Sequence, residues 1–175
     1  MTIYMDHQAT TPTHPSVIEA MQSFWRAEFG NPHSSEHIVG WSANGRVENS
    51  KQTIADTLLC EADEIVFYSG ATEANNHGIF ALSHLSKKLP DRRQIIISSI
   101  EHKCVIEAAN FWAENFNLSV ATLGVDENGH VNLHELKALL EVPTLFCSIM
   151  LVNNEIGAIQ NIQIISEILK EKGVF

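Results

Sequence analysis

The sequence predicts an α/β layer fold with a mainly parallel sheet, and three observations predict it. From Glu64 on, short apolar runs alternate with segments whose apolar residues recur at helical spacing. One run, Leu145 to Val152, reads as a strand buried on both faces. Three runs end in polar clusters, and ligands in such sheets bind beyond the carboxyl ends of the strands.

Each element has its own signal. Thr10 to Pro15 is rich in turn residues. Val17, Ile18, Met21, Phe24 and Trp25 then fall on one helical face, and Gly30-Asn31-Pro32 is the stop signal. A second helical pattern runs from Val39 to Leu59, with Val47, Ile54, Ala55 and Leu58 on one side. Ile65 to Tyr68 reads as a strand and Glu73 to Leu85 as a helix. Gln94 to Ser98 reads as a strand. Cys104 to Phe116 reads as a helix with Val105, Ala108, Phe111 and Trp112 inward. Leu118 to Leu123 is the next strand, and Asp126-Glu127-Asn128-Gly129 a turn. Asn132 caps a short helix, with Glu135 placed for a capping box. After the Leu145–Val152 strand, a last helix spans Ile162 to Lys172 and Gly173 ends it. Val174-Phe175 opens a further apolar run.

Composition narrows the function classes. The 175 residues fit one domain by length, and a hydrophobic fraction of 45% argues against wholesale disorder. A formal charge of -10, from 21 acidic against 11 basic residues, repels nucleic acid and acidic membranes, so neither is an expected partner. The basic pairs Lys87-Lys88 and Arg92-Arg93 read as a solvated loop face. Cys60, Cys104 and Cys147 are scattered without a CxxC pair, as in a reducing compartment, and Cys60 and Cys147 read as small core residues. The N-terminus lacks the basic flank and apolar core of a signal peptide, and no run is long enough to span a bilayer. A cytoplasmic location is therefore expected. His33 with His37 and His130 with His134 have a helical spacing, but no third ligand group accompanies them, so no metal site is expected.

The chemistry sits in three clusters: Ser69-Gly70-Ala71-Thr72-Glu73, Glu101-His102-Lys103 and Asn153-Asn154-Glu155. The first passes from an apolar run through Gly into a helix. Its free backbone N–H groups and the helix dipole form a cradle for a phosphate or other anion. Taken singly each cluster is also explained by turn or capping chemistry; three in register with one sheet point to one half of a cofactor site.

The chain resembles the N-terminal part of a cysteine desulfurase, a pyridoxal-phosphate enzyme of the class V aminotransferase group. The stretches that carry the resemblance are Asp6 to Pro12, Phe29 to Ser34, Ser69 to Asn75, Glu101 to Val105 and Ser148 to Gly157. Gln-Ala-Thr-Thr-Pro and Asn-Pro-His-Ser most resemble the iron–sulfur assembly branch of mitochondria and related bacteria. The resemblance implies the large domain of a pyridoxal-phosphate transferase, three-layered with a mainly parallel sheet, truncated before the sheet is complete. It implies an N-terminal active-site segment at 1–14 and a portion of the cofactor-binding domain at 15–175. Ala71 and Thr72 would hold the cofactor phosphate. His102 would stack on the pyridine ring and move protons near the substrate, as the catalytic residue within reach. Asn154 would bond the ring hydroxyl and orient the substrate.

The implied activity converts cysteine to alanine and delivers persulfide sulfur for iron–sulfur assembly and tRNA thiolation. The implied partners are the cysteine substrate, a second copy or a complementary C-terminal chain, and an iron–sulfur scaffold protein. In the family, the Asp and Gln that contact the ring, the lysine that bonds the cofactor, the mobile catalytic cysteine and the small domain all come later than the stretch matched here. Lys103 and Cys104 are not expected to replace that lysine and that cysteine. The first strand, Ile65 to Tyr68, pairs in the family with strands later than Phe175, so the isolated chain is expected to be poorly stable and inactive. Two other readings stand beside this one: a non-catalytic remnant or split-enzyme half that pairs with a partner chain, and a related selenocysteine lyase or class V aminotransferase. The form Val152-Asn153-Asn154-Glu155-Ile156-Gly157 favours the desulfurase branch over the aminotransferases.

Overall fold

Gln94–Ser98 (β1) forms the middle strand of the sheet, and its five residues are all buried, as a strand covered on both faces must be. The computed structural model describes residues 3–175; Met1 and Thr2, the start of the 1–14 segment, lie outside the described residues. The chain divides into two compact units, Met1–Phe67 and Tyr68–Phe175.

In the second unit β1 is flanked by Ser119–Leu123 (β2) and Thr144–Ser148 (β3), both parallel to it, in the order β2-β1-β3. Period-2 alternation along β1 feeds two cores. Ile95 and Ile97 pack with Ile79 of helix Ala71–His84 (α3), with Val105, Ala108, Ala109 and Ala113 of helix Lys103–Phe116 (α4), and with Leu145 and Phe146. Ile96 points the other way and packs with Leu123, with Leu136 of helix Leu133–Leu139 (α5), and with Ile165 of helix Ile162–Glu171 (α6). Two helices on each face of a parallel sheet make the α/β layer fold the alternating pattern predicts, with the three layers the resemblance implies.

The first unit holds helices Pro15–Arg26 (α1) and Ile38–Leu58 (α2) and a short 3-10 turn, Ala62–Glu64. The apolar face of α1 forms as predicted, yet none of its residues is buried. No helix among the described residues is long and apolar enough to cross a membrane.

Several expectations are corrected. Ile65 has extended backbone angles, but Ile65 to Tyr68 belongs to no ladder among the described residues, and Val66 and Phe67 are 60% and 51% exposed. A strand needs a neighbouring strand for its N–H and C=O groups; among the described residues none pairs with this segment, and Ile65 N–H turns back to Ala62 C=O at 3.3 Å. Strand β3 stops at Ser148, and Val152 instead makes an antiparallel bridge to Ile159. Helix α1 ends at Arg26, before Gly30-Asn31-Pro32, and α3 begins at Ala71, two residues earlier than predicted. Phe111 faces outward at 55% exposure and stacks edge-on against Trp112. Asn132 does cap α5, accepting from the N–H groups of His134 and Glu135, but the Glu135 carboxylate accepts from Gly124 N–H at 3.1 Å, so the box is only half formed.

Candidate cofactor site

The second unit gathers the three clusters at the carboxyl end of its sheet. Gly70 caps α3 with no side-chain bond, and the first helical bond there runs from Ala74 N–H to Gly70 C=O at 3.1 Å. The N–H groups of Ala71 and Thr72 therefore point out of the helix end. Around Gly70 there is open space: an added Cβ would meet nothing within 4 Å. Ser69, by contrast, is taken. Its N–H and hydroxyl both donate to the Glu73 carboxylate, at 2.8 and 2.7 Å, and these bonds hold the Glu73 carboxyl below its ordinary range. The predicted anion cradle thus narrows to Ala71, Thr72 and the helix end.

His102 is the N-cap of α4. Its Nδ1 accepts the backbone N–H of Cys104 at 3.2 Å and lies 3.0 Å from Cys104 Sγ. A backbone N–H can only donate, so Nδ1 is assigned as acceptor and the ring proton to Nε2. Asn75 Nδ2 donates to the same sulfur at 3.3 Å. His102 also joins two neighbouring cavities. One, of about 510 Å³, is lined by Thr72, Asn76, His102, Lys103, Cys104 and Glu107, with Ala108 and Phe111. The other, of about 330 Å³, is lined by Ile100, Glu101, His102, Lys103, Asn153, Asn154, Glu155 and Ile156. Thr72 and Asn154 thus each share a cavity with His102, while Ala71 precedes Thr72 at the start of α3.

Sequence reasoning missed the supports. Glu101 and Asn153, each 8% exposed, precede His102 and Asn154 directly. Glu101 Oε1 accepts from Ser98 Oγ at 3.0 Å and from Met150 N–H at 2.5 Å, and burial pushes its carboxyl above the ordinary range. Asn153 Oδ1 accepts from the N–H groups of Glu155 and Ile156, at 2.9 and 3.0 Å. The available signal was a polar residue between an apolar run and a candidate site residue. Burial of Cys147, with the charge of Glu101 adding to it, pushes that thiol up to about 12. Among the described residues, no three His, Cys, Asp or Glu side chains are grouped to hold a metal ion.

This donor set fits a phosphorylated aromatic cofactor: an open helix end for an anion, a flat imidazole, and an amide. Lys103 lines both cavities and adds a positive charge. The chain belongs to the aminotransferase class-V family, whose pattern spans residues 3–175. That family is pyridoxal-phosphate-dependent. Within it, the chain is 44% identical over 174 residues to the cysteine desulfurase IscS of Rickettsia bellii, covering 99% of this chain and 42% of that protein. It is 41% identical to the mitochondrial cysteine desulfurase of Eremothecium gossypii, covering 99% of this chain and 35% of that protein. A solved NifS-like protein superposes on it with a TM-score of 0.91 at 36% identity, over 99% of this chain and 46% of that one. The chain thus spans less than half the length of these relatives.

Proposed function

We propose that Ala71, Thr72, His102 and Asn154 hold pyridoxal 5'-phosphate in a cysteine desulfurase, which converts cysteine to alanine and passes on persulfide sulfur for iron–sulfur assembly and tRNA thiolation. One observation carries this reading: His102 lines both the cavity that contains Thr72 and the cavity that contains Asn154. When bound, the cofactor supplies an electron sink for the bonds of the substrate amino acid. The N–H groups of Ala71 and Thr72 and the Thr72 hydroxyl bind the phosphate, aided by the positive end of α3. His102 offers its ring face to the pyridine, and its Nε2 proton is the one available for transfer near the substrate. Asn154 bonds the ring hydroxyl and orients the substrate. The lysine that bonds the cofactor and the thiol that takes the sulfur are not assigned to Lys103 or Cys104. Likeness to IscS supports a second copy or a complementary C-terminal chain as partner, and an iron–sulfur scaffold as the sulfur's destination. Scattered unpaired cysteines support a reducing, cytoplasmic location.

The test is a pyridoxal-phosphate titration of the whole protein, followed by absorbance, with alanine release from cysteine as second readout. Thr72→Val, His102→Ala and Asn154→Ala are each expected to weaken binding by about tenfold or more, the scale of a lost charge-assisted or buried hydrogen bond. His102→Asn keeps a capping acceptor for α4, so it separates loss of the ring from loss of the cap. Wild-type affinity in all three variants, or no saturable binding by the wild type, overturns the proposal.

A further inference from the structure

Two buried polar side chains cross between the loop that carries His102 and the loop that carries Asn154. Glu101 leaves the end of β1 and reaches the opposite loop, where Oε1 accepts Met150 N–H at 2.5 Å. Ser98 Oγ donates to the same oxygen at 3.0 Å and anchors it to the last residue of β1. Asn153 reaches back: Nδ2 donates to Ile100 C=O at 3.0 Å and lies 3.3 Å from Met150 Sδ. Its Oδ1 meanwhile folds its own loop by accepting from Glu155 and Ile156 N–H. Each residue thus bonds the backbone on the other side, and each stands one position before a candidate cofactor residue. Both are nearly enclosed, so water does not easily replace their bonds, and removing one partner leaves a buried group unmade.

We propose that Glu101 and Asn153 are positioning residues, a reciprocal clasp that fixes the His102 loop and the Asn154 loop relative to each other. The clasp needs an acceptor at residue 101 and both a donor and an acceptor at residue 153. It rests on the cofactor reading only in what it positions; the cross-loop bonds stand whether or not that reading holds.

Amide hydrogen exchange on the protein without cofactor tests the clasp directly. Glu101→Ala is expected to speed exchange by about tenfold at Met150 and across residues 153–156, the opposite loop. Asn153→Asp keeps the Oδ1 acceptor but removes the donor to Ile100. It is expected to loosen residues 100–104 while leaving the Glu155 and Ile156 amides protected. Glu101→Gln keeps the acceptor oxygen and is expected to exchange as the wild type does. A cofactor titration adds a second readout: Glu101→Ala is expected to weaken pyridoxal-phosphate binding about tenfold under conditions where it stays folded, with rescue by Glu101→Gln. Should the alanine variant not fold, Asn153→Asp and Glu101→Gln still decide. Exchange that rises only in each variant's own loop overturns the clasp. Cross-loop loosening in a protein whose wild type binds no cofactor upholds the clasp and overturns the cofactor reading.

Discussion

Glu101 and Cys147 are pushed in the same direction by burial, toward the uncharged form. A carboxyl raised in the folded state holds its proton more tightly there than in the unfolded chain. Its contribution therefore favours folding at low pH and is lost as pH rises from the ordinary glutamate range through the raised value. Urea midpoints of the wild type are expected to fall across that window more steeply than those of Glu101→Gln; equal slopes would contradict the assignment. Cys147, raised to about 12, is expected to resist iodoacetamide at pH 8 in the folded protein and to react once urea exposes it. Equal labelling with and without urea would contradict it. At this scale the three polar clusters were legible as positions after apolar runs, while the roles proposed for Thr72, His102 and Asn154 came from the family resemblance, because a His after a strand, a Thr at a helix start or an Asn in a turn is equally capping chemistry. The supporting roles of Glu101 and Asn153 were not legible, because a buried polar side chain and an exposed one read alike until the loop opposite is placed.

Helix ends were partly legible for the same reason. His14, His37 and His102 each cap a helix by accepting a backbone N–H at Nδ1, a role more often taken by Ser, Asp or Asn. Asn132 and Asn161 follow the commoner rule, and the first was predicted. Removing the Asn132 side chain leaves two N–H groups of α5 uncapped, so Asn132→Ala is expected to cost about 1 kcal/mol in urea unfolding. No change in midpoint would contradict the cap. Strands divide more sharply. Gln94 to Ser98 was predicted to the residue, because the continuous apolar run Ile95-Ile96-Ile97 marks a buried strand and polar Gln94 and Ser98 bound it. The run from Ile149 to Val152 carries a similar signature but turns away, because Asn153 builds a loop and Val152 bridges Ile159. Apolar character specifies burial or pairing demand; only the neighbour decides whether a ladder forms. Ile65 to Tyr68 makes the same point without a neighbour.

Across the whole molecule, stability is unevenly held. Of the buried apolar residues among the described ones, only Ala55 lies in the first unit; the two cores belong to Tyr68–Phe175. Native-state exchange is therefore expected to be slowest in β1, α4 and β3, and faster by orders of magnitude throughout α1 and α2. Equal protection in the two units would contradict this. The alternating α/β pattern of the second unit was legible because sheet periodicity and helix periodicity differ along the chain; its three layers came from the family resemblance. The exposure of α1's apolar face was not, since periodicity says which residues want cover and nothing about what covers them.

The central claim is that Ala71, Thr72, His102 and Asn154 surround one ligand. It is tested most directly by titrating pyridoxal phosphate into the isotope-labelled protein and following backbone amide resonances. The amides of Ala71 and Thr72, those of residues 101–104 and those of residues 153–156 are expected to shift along one common saturation curve. Shifts confined to the end of α3, or curves that differ between the three clusters, would contradict a single site.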